Sequence, residues 1–160
     1  MSTATSPAHS FQAAFAARDF DAMRELVHPD VVLNSPILSK PFEGREAVLE
    51  LFEVITATLE DVRFTVDIGE GDIHFFSFHA RVGSTEMQGA DIVRVGEDGR
   101  IAEFTIFFRP LPGLAVLAAA LGKGLAGRKS RARGRFAGAA SAPLVALSRA
   151  TDRIAPRLVK

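Results

Sequence analysis

Residues 85–95 read T-E-M-Q-G-A-D-I-V-R-V, and strand alternation sorts them into two faces. Asp91 falls with Met87, Val93 and Val95, while Glu86, Gln88 and Arg94 take the opposite side. The second set is polar, so the first points inward and carries an acid into an apolar interior. Desolvation there raises a carboxyl pKa by up to about 3–5 units. A carboxyl kept protonated in this way donates a hydrogen bond to a carbonyl oxygen or a developing enolate. The same acid would serve equally as a tie between strands, accepting bonds from Asn34, a histidine or a backbone amide. Alternation puts His79 with Ser77 and Arg81, and His74 with Phe76 and Phe78. Neither histidine has a partner at ligand spacing, so no metal and no cofactor are expected. Asn34 either positions a water or a ligand carbonyl or caps its own loop. Arg109, in F-F-R-P-L, either clamps an acidic ligand at a pocket mouth or pairs with an acid of the N-terminal body.

The elements that would position these groups are legible. Ser6-Pro7 reads as a helix N-cap followed by proline in the first turn. Phe11, Ala14 and Phe15 share one helical face, and Asp19-Phe20-Asp21 separates a second short helix carrying Met23 and Val27. Residues 30–35 predict a short strand, and Pro36 and Pro41 bracket a loop that cannot be helical. After Gly44 a helix runs to about residue 60, with Val48, Leu51, Phe52, Ile55 and Leu59 repeating at three and four. Val62, Phe64, Val66 and Ile68 then alternate with polar residues, and strands over 73–82, 85–95 and 100–109 follow through tight turns at 69–72, 83–84 and 97–99. Helices preceding an antiparallel meander make the class α+β. Phe104, Ile106 and Phe108 lie on one face of the last strand and Phe107 on the other. A sheet apolar on both faces needs two covers. The helices are one; a second copy of the chain, giving a homodimer, or else the C-terminal segment folded back, is the expected other.

At 160 residues the chain suits one domain with an appendage. It has no cysteine, which excludes disulfides and thiolate chemistry, and no uncharged apolar run of membrane-spanning length. The start lacks the pattern of a secretory signal, so a cytoplasmic protein is expected. A net charge of zero hides a division: residues 1–110 hold 9 Lys/Arg against 18 Asp/Glu, and residues 111–160 hold 10 against the single acid Asp152. The chain therefore reads as a body over 1–112 and a basic Ala/Arg-rich extension over 113–160, helical in part. Residues 111–127 predict an Ala/Leu helix that packs on something, and residues 143–160 an amphipathic one whose arginine stripe suits an anionic membrane surface; the alternative is a tail that is solvated or docked onto the acidic body. Nucleic acid is disfavoured, because no tyrosine or tryptophan interleaves the basic residues.

Several motifs carry a resemblance. H-P-D-V-V-L-N-S-P over 28–36, Gly44-Arg45-Glu46-Ala47-Val48 at a helix start and Asp98-Gly99-Arg100-Ile101 at a hairpin resemble the SnoaL-like branch of the nuclear-transport-factor-2-like (NTF2-like) superfamily, over roughly residues 8–113. The resemblance implies a cone: N-terminal helices packed on a strongly curved sheet around an apolar pocket. The related ketosteroid isomerases take their base from an aspartate before a proline, with a tyrosine and a late acid holding the enolate oxygen. Here those places fall at Ser35, near Phe11 and at Asp91. The similar limonene-epoxide hydrolases use an Asp-Arg-Asp set, whose places fall near His79, Arg81 and Ile106, so neither set is complete. The polyketide cyclases of the group use an acid on the sheet, a role that Asp91 would fill with His79 beside it. The expected ligand is a small apolar molecule bearing oxygen, walled by Asn34, Phe15, Phe52, Phe78 and Phe107. The implied chemistry is isomerisation, cyclisation or elimination through an enol; the alternative is a non-catalytic binding or scaffolding module.

Overall fold

The computed structural model describes residues 6–129, together with 143, 145–148 and 150 of a further helical stretch. Ser6 caps the first helix, α1 (Pro7–Ala17), by accepting from the His9 amide at 3.1 Å, and Arg18 ends it in the left-handed conformation at φ 55°. Asp19 caps α2 (Phe20–Leu26), which leads without a loop into β1 (Val27–Asn34). A two-residue strand, β2 (Phe42–Glu43), precedes α3 (Arg45–Thr58), followed by β3 (Glu60–Glu70), β4 (Ile73–Val82), β5 (Thr85–Val95), β6 (Ile101–Arg109) and α4 (Leu111–Lys129).

The strands form one mixed sheet in the order β2-β1-β6-β5-β4-β3. The expected meander is β3 to β6. Beside it, β1 runs parallel to β6, with Leu33 opposite Phe104 and Asn34 opposite Thr105. That long-range pairing has no local signal, and it brings the N-terminal strand to the side of the meander. α1, α2 and α3 rest on one face, where Phe11, Phe52 and Phe104 form a triangle of tilted rings with centroids 4.9–5.2 Å apart.

One strand departs from its sequence pattern. Phe64 pairs with Phe78 and Val66 with Ser77, so Thr65 and Val66 together oppose one residue and make a β-bulge. Beyond it every side chain changes face. Val66 and Ile68 do not continue the inner row of Val62 and Phe64; they stand 41% and 62% exposed on the outer face. Asp67 turns inward instead and receives the His9 ring at 2.8 Å, tying β3 to α1.

α4 is the Ala/Leu helix expected over 111–127, and it packs into the core. Leu117 is 1% exposed, and Ala115 and Leu121 are buried with it. A Cβ on Gly113 would lie 2.9 Å from that of Met87, and one on Gly124 would lie 2.5 Å from Val54 Cγ1, so backbone approaches side chain closely at both points. Met87 faces the helices, so α4 adds to the cover already present and leaves the outer face open among the described residues. Core contacts thus continue past residue 112, where the body was expected to end. Arg128 reaches Glu53 at 2.7 Å, one contact between the basic segment and the acidic body. Of the amphipathic helix expected over 143–160, residues 143, 145–148 and 150 are described and helical; its other residues, and 130–142 of the arginine-rich stretch, lie outside the described residues. No helix among the described residues is long and apolar enough to cross a membrane.

Leu117→Ala is expected to cost about 2–5 kcal/mol in denaturant unfolding, as for a leucine inside a single cooperative core. An unchanged unfolding midpoint would mean that α4 is an appendage.

Candidate functional site

Asp91 sits in the middle of β5, 7% exposed, with Phe76 of β4 on one side and Ile106 of β6 on the other. The inner row next to it is Phe78, Gly89 and Phe108. The Phe78 ring lies across Gly89: a Cβ there would stand 2.2 Å from Phe78 Cζ, so only glycine lets the ring occupy this place. Phe78 in turn meets Phe64 and Phe108 edge-on, at 5.8 and 5.7 Å between centroids.

These rings enclose a cavity of about 30 Å³, in which seven of the eleven lining residues are phenylalanine. Asp91 is the one lining residue with a polar side chain, and its Oδ1 has no hydrogen-bond partner among the described residues. Burial pushes its carboxyl up from the ordinary 3.8 to about 8. At neutral pH the group is therefore a neutral acid with a proton to donate. The space holds roughly two water molecules. Anything larger has to displace the half-buried residues at its edge, Phe15, Val62, Phe64 and Phe108. Beyond Phe15 and Val62 lies an open groove of about 390 Å³ bordered by Arg18, Glu60, Asp61 and Arg81.

The structure brings together part of the expected set. Phe15, Phe52 and Phe78 line the cavity with Asp91, and so does Phe11, at the place of the ketosteroid-isomerase tyrosine. His79 does not: it pairs with Gln88 on the other face of the sheet, because it is out of phase with Phe76 and Phe78 along β4. Phe107 is on that same outer face and half exposed. Asn34 is outside as well, donating from Nδ2 to Glu103 at 2.8 Å and Thr105 at 3.2 Å; it bonds side chains of β6 and does not reach Asp91. Ser35, at the place of the isomerase base, accepts the Ile37 amide at 3.1 Å within its own loop. His79 faces outward, Arg81 borders the groove beyond Phe15 and Val62, and Ile106 lines the cavity, so the places of the epoxide-hydrolase set are not brought together. Arg109 does not line the cavity and, among the described residues, meets no acid; it donates to Gln88 Oε1 at 3.1 Å. Sequence reasoning missed the His9–Asp67 pair, which the perfect alternation of 62–68 concealed. Among the described residues no three His, Cys, Asp or Glu side chains gather as a metal site.

The raised Asp91 pKa makes stability depend on pH. Between about pH 4 and 8 the unfolded chain ionises Asp91 while the folded chain keeps it protonated. The folded state then binds more protons, so stability falls as pH rises through that window. Asp91→Asn is expected to gain on the wild type by a few kcal/mol between pH 4 and 8 in denaturant unfolding; parallel curves would show an unshifted carboxyl. Gly89→Ala is expected to cost about 1–3 kcal/mol by forcing Phe78 aside, read as a lowered melting temperature. Retention of the wild-type value would show that the ring has room to move.

Comparison with known proteins agrees with this architecture. Residues 8–104 match the SnoaL-like domain family. Among solved structures, a steroid delta-isomerase from Pseudomonas aeruginosa is 31% identical, with 78% of this chain covering 92% of that one at a TM-score of 0.73. An uncharacterised protein with a cystatin-like fold from Silicibacter pomeroyi is 24% identical over 79% of this chain and 88% of its own, at a TM-score of 0.71. An NTF2-like protein of unknown function from Cytophaga hutchinsonii shares the fold at 16% identity, over 70% of this chain and 97% of its own, with a TM-score of 0.57. None of the curated proteins compared with the chain matches it. With its helices, six-stranded mixed sheet and matched span of 97 residues in 160, the chain belongs to the SnoaL-like family of the NTF2-like superfamily.

Proposed function

We propose that this chain takes a small apolar molecule bearing a carbonyl oxygen into the phenylalanine-lined cavity. Protonated Asp91 donates a hydrogen bond to that oxygen and stabilises the enol that forms as a water admitted with the ligand takes the carbon-bound proton, which solvent returns at the end of the isomerisation, cyclisation or elimination. The observation that carries this reading is an acid buried among apolar side chains with no protein partner for Oδ1. Such a group is costly to the fold unless a ligand uses it. The steroid delta-isomerase relative supports enol chemistry as the class, since isomerisation of that kind moves a carbon-bound proton. A steroid itself is far larger than a cavity of about 30 Å³. The preferred ligand is therefore smaller, or it enters by turning Phe15 and Phe64 outward.

One observation favours the second reading, binding without turnover. Among the described residues no other ionisable group lines the cavity, so no separate base faces the carbon-bound proton. Asp91 would then hold the carbonyl and do no more.

One experiment separates the two. 2-Cyclohexenone in deuterated buffer is followed by NMR for binding and for deuterium uptake beside its carbonyl. Exchange above background that falls about a hundredfold in Asp91→Leu supports enol chemistry, in line with the loss of one donor to a developing oxyanion. Saturable binding without exchange supports the binding module, and exchange at the wild-type rate in Asp91→Leu removes Asp91 from the reaction.

A further inference from the structure

α1 runs alongside β3 in the opposite direction. Near the start of the helix, His9 Nδ1 meets Asp67 Oδ2 at 2.8 Å. Further along, Phe15 and Val62 line both the inner cavity and the groove of about 390 Å³, and Arg18 and Asp61 border that groove together. The cavity edge made by Phe15, Val62 and Phe64, all half-buried, is therefore the seam between these two elements. An ion pair closes one end of the seam, and the other end opens on the groove.

The seam is weakly held. The α1 backbone lies close to α2 and β5, and much less so to β3. The side chains of His9 and Asp67 are 59% and 31% exposed, and a pair so open to water contributes little. At about 100° per residue, Gln12 falls on the helix surface between the Phe11–Phe15 edge and His9, so it turns toward β3. Gln12 is buried, and its Nε2 has no hydrogen-bond partner among the described residues. A buried donor left unpaired costs free energy, a cost that water removes once the seam parts. The opposite edge of α1 is fixed: Ala8 and Phe11 are buried, and the Phe11 ring touches both Phe52 and Phe104. The helix is thus anchored along one side and lightly fastened along the other.

We infer that α1 is the door of the inner cavity, latched by the His9–Asp67 pair and pivoting on Phe11. When the latch parts, α1 rolls about the Phe11–Phe52–Phe104 contact, Phe15 leaves Val62 and Phe64, and the cavity joins the groove. The joined space is of small-molecule size, which the inner cavity alone is not. The closed door keeps water from the Asp91 carboxyl, and the open one admits a ligand without disturbing the sheet. The inference concerns access alone and stands whether Asp91 turns its ligand over or only holds it.

The chain has no cysteine, so a thiol placed in the cavity reports its opening. Ile106→Cys puts one on the cavity wall, and Val48→Cys puts one in the core outside the cavity. Each full-length variant is labelled with methyl methanethiosulfonate at reagent levels where the rate follows the open population. The Ile106→Cys thiol should react at least about tenfold faster than the Val48→Cys thiol, at a rate nearly independent of low urea, because local opening exposes little surface. His9→Ala and Asp67→Asn should each speed the Ile106→Cys reaction about two- to fivefold, and together no more than either alone. Arg128→Gln, which removes an ion pair outside the seam, should leave that rate unchanged. Ile55→Cys, on the cavity wall from α3, replaces Ile106→Cys as reporter if the latter lowers the melting temperature. Equal rates for the cavity and core thiols, rising together with urea, would mean that only global unfolding opens the cavity. An Ile106→Cys rate unchanged in both latch variants would mean that the pair does not hold the door, and either result overturns the proposal.

Discussion

Water cannot accommodate the inner face of the meander. Each large apolar side chain taken out of water contributes about 1.5–3 kcal/mol, and β3 to β6 turn a dense row of them to one side. α1, α3 and α4 all settle on that side, and every described helix–sheet contact that buries Phe52, Phe104 or Leu117 serves the same end. Rings meeting edge to face cannot fill space completely, and the gap they leave is the cavity beside Asp91. Closure of this core is what removes water from the carboxyl and keeps its proton on.

From that closure follows a segregation of chemistry. The inner site has one ionisable group and no partner for its Oδ1 among the described residues, while the histidine and amide expected beside it, His79 and Asn34, are on the opposite face. An acid–base pair of the ketosteroid-isomerase kind needs two groups at the substrate. This chain has phenylalanine at one of the implied places and a serine turned into its own loop at another. What remains is a carboxyl held protonated among apolar side chains, its Oδ1 without a partner among the described residues.

β3 changes register with β4 twice, between Glu60 and Arg63 and again between Phe64 and Val66, and the second irregularity reverses its faces. Before the bulge Val62 and Phe64 complete the cavity; after it Val66 and Ile68 extend the outer apolar band, and Asp67 is free to take His9 from α1. The bulge at Thr65–Val66 therefore bears on both the edge of the inner cavity and the surface behind it. The charge division along the chain also has a structural counterpart, since Arg128 at the end of α4 meets Glu53 on α3.

The sequence by itself determined most of the elements, the α+β class and the inward direction of Asp91, because each rests on local periodicity: three to four for α3, two for β5, with tight turns between strands; it gave no sign of β2 and put Val27 on the helix, where it opens β1. Even the faces of Phe104, Ile106 and Phe107 follow from alternation within one strand. Tertiary structure alone decided what those elements meet. The parallel pairing of β1 with β6, the seating of α4 against Met87 and Val54, and the separation of His79, Asn34 and Phe107 from Asp91 depend on partners distant in the chain. The bulge at Thr65–Val66 was hidden for the same reason: its strand alternates perfectly in sequence, and only pairing with β4 and the pull of His9 on Asp67 reverse its faces. Local preference fixes which way a side chain points within its element, but contact between elements is set by burial summed over the whole molecule.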